Sequence, residues 1–244
     1  MKKISLLLLL LIGSSTFAQN LTFYGLLPAI NQTGRINSKF NYNFFASTTI
    51  DAFREKVNSV EYPATDFQLY IQPSIIYVAS TKFNLAASYT YQRNNPFNGN
   101  FTNEHRIWQQ AIYAIPLTNG RITNRFRFEE RFIQNKITQK YPISTRIRYQ
   151  IGYNRPLKGK TLDKGEFYFT TYNEFYLSLT GAKNATYSEN WSYAGFGLEL
   201  GKVGKVELGY LFQVLVRNSK QDLRYLNLCQ ISWITNFNKK KSDK

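Results

Sequence analysis

In residues 121–132, Arg121, Thr123, Arg125, Arg127, Glu129 and Arg131 alternate with Ile122, Asn124, Phe126, Phe128, Glu130 and Phe132. Successive side chains of a β-strand point to opposite faces. One face of this segment is therefore charged and the other largely aromatic. Residues 143–153 repeat the arrangement, with Ser144, Arg146, Arg148, Gln150 and Gly152 opposite Ile143, Ile147, Tyr149, Ile151 and Tyr153. So do residues 166–179, where Glu166, Tyr168, Thr170, Tyr172, Glu174, Tyr176 and Ser178 oppose Phe167, Phe169, Phe175, Leu177 and Leu179. In 191–200, Trp191, Tyr193, Gly195, Gly197 and Glu199 alternate with Ser192, Ala194, Phe196, Leu198 and Leu200. In 206–217 the contrast is weaker, because Leu211 and Leu215 fall among Glu207, Gly209 and Gln213 on the polar side.

Period-two segments separated by clusters of Asn, Gly, Lys, Asp and Ser predict ten strands. They lie near 35–50, 66–79, 82–93, 104–115, 121–134, 143–154, 165–180, 190–201, 204–217 and 222–237. No helical period follows residue 18. The aromatic content, 16% and mostly Tyr and Phe, suits strands. Connections alternate between tight ones (80–81, 117–120, 201–204) and longer polar ones (51–65, 94–102, 135–142, 181–189). The stretch 155–164 is intermediate, and 217–221 is brief for the long side. Alternating tight turns and longer loops is the pattern of an outer-membrane barrel. An even strand number would return the C-terminus to the tight-turn side.

Export is expected from the first residues. Lys2 and Lys3 precede an apolar run from Ile4 to Ile12, broken only by Ser5, and small residues lead to Ala18. This is the form of a cleaved signal peptide, 1–18, too short to span a membrane as a helix. Loss of its two lysines lowers the formal charge from +16 to +14. Most lysines fall in turns or the tail, whereas arginine enters the strands. A face of Arg, Glu, Gln, Tyr and Gly almost free of lysine suits a crowded interior, where guanidinium and carboxylate form paired hydrogen bonds. A soluble lipocalin-like barrel would instead place its apolar face inward.

One cysteine, Cys229, and one histidine, His105, exclude an intramolecular disulfide framework and a multi-Cys or His-pair metal site. No cofactor is expected. Export and the confinement of lysine to turns argue against nucleic acid, and no Gly-rich phosphate loop is present. Asn31 and Asn184 match a glycosylation pattern that carries little meaning in a bacterial chain.

The segments EHRIWQQ (104–110), RFRFEERF (125–132), RIRYQIGYNRPL (146–157), YNEFYLSL (172–179) and ELGYLFQ (207–213) occur in this order. In this the chain resembles, over about residues 20–237, the bacterial domain-of-unknown-function family numbered 2490, found in Bacteroidota-type and proteobacterial genomes. The resemblance implies an exported outer-membrane-type barrel and supplies no activity. Trp191 departs from it, since an arginine is expected after Asn190.

The expected molecule is an all-β, antiparallel up-and-down transmembrane barrel of about ten strands, with twelve as the alternative count. Its expected parts are a lead-in or extra strand at 19–34, the barrel at 35–237 and a basic tail at 238–244. Arg106, Arg125, Arg127, Arg131, Arg146 and Arg148 would face the lumen with Glu129, Glu174, Glu199 and Glu207. The size of such a barrel favours a filled or tightly constricted lumen, and surplus arginine would attract anions. Expected partners are outer-membrane lipid and, during insertion, the barrel-assembly machinery. The expectation is a non-enzymatic envelope protein of the Gram-negative outer membrane, in its open form a narrow porin-like solute channel. The enzymatic alternative is an acyl hydrolase with His105 as base and Ser88 as its nearest candidate nucleophile. A soluble periplasmic ligand-binding barrel is the other.

Overall fold

Every one of the ten expected segments is a strand in the computed structural model, which describes residues 20–53, 55–57, 60–62, 65–181, 185–218 and 222–237. The expected signal peptide, the basic tail and Asn184 lie outside the described residues. In chain order the strands are β1 (Leu21–Arg35), β2 (Phe40–Asp51), β3 (Glu55–Val57), β4 (Val60–Tyr62), β5 (Asp66–Val78), β6 (Phe83–Asn94) and β7 (Thr102–Leu117). They continue with β8 (Gly120–Ile133), β9 (Ile143–Pro156), β10 (Phe167–Thr180), β11 (Tyr187–Glu199), β12 (Lys205–Val216) and β13 (Leu223–Asn236).

Eleven strands close into one barrel, in the order β1-β13-β12-β11-β10-β9-β8-β7-β6-β5-β2, while β3 and β4 form a small hairpin within the connection between β2 and β5. Residues 21–35, left open as a lead-in or an extra strand, are the eleventh member. This strand makes the count odd, which the sequence pattern did not anticipate. It pairs antiparallel with β2 but parallel with β13, from Leu21↔Arg224 to Thr33↔Asn236. The other barrel pairings are antiparallel. Because the closing pair is parallel, β1 starts at the end of the barrel where β13 starts, beside the connections 52–65, 95–101, 134–142, 181–186 and 217–222. The barrel ends at Asn236 on the opposite rim, with the tight turns. The tightest of these, Thr118–Asn119, needs Gly120, whose φ of 135° disfavours other side chains.

Side chains alternate across the wall as the sequence implies. Phe126, Phe196 and Leu208 are 58, 53 and 56% exposed on the outer surface, whereas Glu129 is fully buried inside. Tyrosines fill part of the interior by lying flat over inward-facing glycines. A Cβ on Gly195 would meet the Tyr193 hydroxyl at 2.5 Å, one on Gly209 the Tyr193 ring at 2.6 Å, and one on Gly197 would overlap the ring of Tyr168. The Tyr and Gly of the polar face are thus two halves of one packing device.

Candidate functional site

Strands β7 to β11 build a charged wall inside the barrel, because each places charged or hydrogen-bonding residues at inward alternate positions. Three carboxylates organise it. Glu129 accepts from Arg146 through Nε at 2.9 Å and Nη2 at 2.6 Å, and from Arg148 Nη1 at 2.8 Å. Glu174 holds Arg148 in a two-point fork, Nε to Oε1 at 2.8 Å and Nη2 to Oε2 at 2.9 Å. It also accepts from Arg125 at 2.7 Å and from Tyr176 at 3.1 Å. Glu104 joins Arg106 at 2.5 Å to Arg131 at 2.6 and 3.0 Å. Arg106 also donates to Gln92. Arg127 is held by Gln110 at 2.9 and 3.0 Å and lies over Trp108, 3.8 Å from the ring centroid. Such paired and stacked contacts offset the cost of removing guanidinium groups from water.

The six expected arginines and Glu129 and Glu174 therefore lie in one network of two clusters, Arg106 and Arg131 around Glu104 and the other four arginines around Glu129 and Glu174. Glu199 and Glu207 are inside the barrel but do not pair with these arginines. Glu199 meets Lys205 at 3.5 Å, and Glu207 accepts from Tyr168 at 2.7 Å, nearer the tight-turn end. Their strands, β11 and β12, carry them past the arginine layer. The carboxylates that take their place are Glu104 and Glu189, the latter 2.8 Å from Arg146 Nη1. Glu104 was detectable in the sequence, two residues before Arg106 and thus on its face of the strand. Trp191, at the position where arginine was expected, turns inward, donates to Glu189 at 3.1 Å and packs on Tyr176 with ring centroids 5.2 Å apart.

The opposite wall is apolar. Leu21, Phe23, Leu27 and Ala29 of β1, Leu211 of β12, and Leu226 and Leu228 of β13 form one buried cluster with Tyr193. Phe45, Phe67, Tyr172, Trp191 and Leu215 pack against it. Between the two walls runs a cavity of about 680 Å³. It reaches from Asn94, Asn95 and Ile133 near the long-connection rim to Asn31, Asn43 and Ile76 near the tight-turn rim. Seven arginines line it: the six of the network and Arg224 of β13. Counting Glu129 beneath them, four glutamates oppose them, so the lining carries a cationic surplus. With this cavity the interior is not completely filled.

His105 lies on the outer face, one residue from the inward Glu104 and Arg106. Its Nδ1 is 2.5 Å from the Tyr89 hydroxyl, and its ring contacts Tyr91 and Tyr141. Ser88 donates instead to the Pro73 carbonyl at 2.5 Å and the Tyr89 carbonyl at 3.0 Å. Ser88 shares the inward face of β6 with the buried Ala86 and Thr90, so the two residues of the hydrolase alternative lie on opposite faces of the wall. Among the described residues no group of three or more His, Cys, Asp or Glu could hold a metal ion.

No curated protein and no solved structure matches the chain. Residues 25–224 match the family described as "Protein of unknown function (DUF2490)". That span runs from β1 to β13 and includes every member of the arginine network. The chain belongs to this family, whose function is not known.

Proposed function

We propose that this protein is a non-enzymatic outer-membrane barrel whose lumen forms a narrow, anion-preferring passage. The observation that carries the reading is its inverted polarity. All eleven barrel strands expose large apolar side chains outward, from Leu26 and Ile30 on β1 to Ile231 and Trp233 on β13, while the arginines surround an inner cavity. A soluble monomer seldom exposes contiguous apolar surface beyond a few hundred Å². Strands of 12 to 16 residues extend about 40–50 Å at roughly 3.3 Å per residue, which crosses a hydrocarbon layer of about 30 Å at a tilt near 45°. Exposed Tyr24, Tyr89 and Tyr187 near one rim and Tyr113 and Trp233 near the other suit two interfacial aromatic girdles. Several polar groups on the outside satisfy one another. Asn173 donates to Ser192 at 2.7 Å, for example, as a low-dielectric surrounding demands.

The passage follows from the cavity and its charge. Arginine cannot lose its proton at ordinary pH, so the surplus attracts anions and repels small cations along the lumen. The first test is fractionation with heat-dependent gel migration. The protein should stay with outer-membrane lipid and migrate faster unheated. Release as a soluble periplasmic protein overturns the reading. In planar bilayers under a KCl gradient the reversal potential should have the sign of anion preference, and Arg125→Glu should shift it toward cations. A folded, inserted barrel with no conductance removes the passage.

A further inference from the structure

We infer that the lumen binds an amphiphilic anion, one with a single phosphate or carboxylate head and an acyl-like apolar body. The inference rests on the lumen being reachable from one rim, as in the passage proposed above, and adds the class of molecule that enters. An anion passage needs no apolar wall, yet a large part of this cavity's lining is hydrocarbon. Leu27, Leu211, Leu226 and Trp191 line it on the side facing the arginines. Water gains little from such a wall, whereas burying an acyl chain against it is favourable in proportion to the apolar area covered. The volume of about 680 Å³ lies in the range of small-molecule sites.

The head-group contacts are partly unmade. Most network arginines spend their donors on Glu104, Glu129 and Glu174. Arg125 and Arg224 differ, since the Nε–H of each is buried without an acceptor. Arg224 rises from the apolar wall itself, its guanidinium carbon 5.9 Å from the Phe67 ring centroid. Both line the same cavity. A buried donor without a partner is costly, and an anionic head supplies the missing acceptor in charge-assisted form.

The test uses the processed barrel in amphipol, titrated calorimetrically with dodecyl phosphate. Saturable binding of one molecule per barrel is expected, tighter than for hexyl phosphate. Inorganic phosphate and dodecyltrimethylammonium should not displace it. Arg224→Gln, which leaves the Glu-centred network untouched, should weaken binding by about tenfold, the loss of one charge-assisted contact. Unsaturable uptake, equal affinity for inorganic phosphate, or the same affinity in the Gln variant overturns the inference. The hexyl-to-dodecyl comparison needs no variant and decides the apolar half by itself. Anion-selective conductance without this binding leaves the passage and removes the ligand. Binding without conductance does the reverse.

Discussion

Glu129 has no water to replace its partners. It is fully buried and holds Arg146 and Arg148 together, with Arg127 Nη1 3.5 Å away. Glu129→Gln keeps the shape but leaves guanidinium charge unbalanced in a low-dielectric interior. Breaking a buried pair in this way costs about 3–5 kcal/mol, so the urea midpoint of the folded, heat-modifiable species should fall markedly. The interior glycines give a second expectation. Gly197→Val would drive its side chain into Tyr168 and should destabilise the barrel by roughly 1–3 kcal/mol, as overpacking does. Adding Tyr168→Ala should recover part of that loss, which a double-mutant cycle measures. At this scale the arginines were readable from alternation alone. Their partners were less so, because which carboxylate meets which arginine depends on pairing between strands. Glu207 and Glu174 look equivalent in sequence, yet register brings Glu174 opposite Gln150, beside Arg148, and leaves Glu207 opposite Gly197.

Alternation reveals a strand only when its faces differ. That holds for β8, with Arg127 inside and Phe126 outside. It fails for β1, whose inner face carries Leu21, Phe23 and Leu27 and whose outer face carries Tyr24, Leu26 and Ile30. For the same reason the sequence of β13 shows little sidedness, and Leu211 and Leu215 fall on the polar side of β12. Trp191 belongs with them. These irregularities all lie on or against the apolar wall, so what looked like noise in five places marks one surface. The parallel pairing of β1 with β13 can be tested directly. Leu26 and Cys229 are register partners, and both are exposed on the outer face. Leu26→Cys should form an intrachain disulfide with Cys229 on mild oxidation, visible as a mobility shift reversed by reductant. Leu27→Cys, which points inward, should not. Absence of the Leu26→Cys cross-link would mean a different closure.

Across the whole molecule, the odd strand count puts the start of β1 and the end of β13 on opposite rims. Asn20 lies with the long connections, its side chain accepting the Leu223 amide at 2.9 Å, while Asn236 ends at the tight-turn rim. In the proposed outer-membrane placement, which puts long connections outside the cell, an epitope just before Asn20 should bind antibody on intact cells. An epitope after Lys244 should bind only after permeabilisation. Even-stranded barrels predict the same side for both. The closing pair also sets the order of assembly. The antiparallel neighbours from β5 to β13 can zip as successive hairpins, each closing a short loop. Strands β1 and β13 must find each other across 203 residues. At (3/2)RT ln n, holding such distant ends together costs about 5 kcal/mol before any contact forms. Their thirteen register pairs repay that only once aligned, so this joint is the last to form and the slowest. Until then the nascent sheet carries two long unpaired edges, each a template for another chain. Its greatest exposure to aggregation therefore falls at the final step of folding.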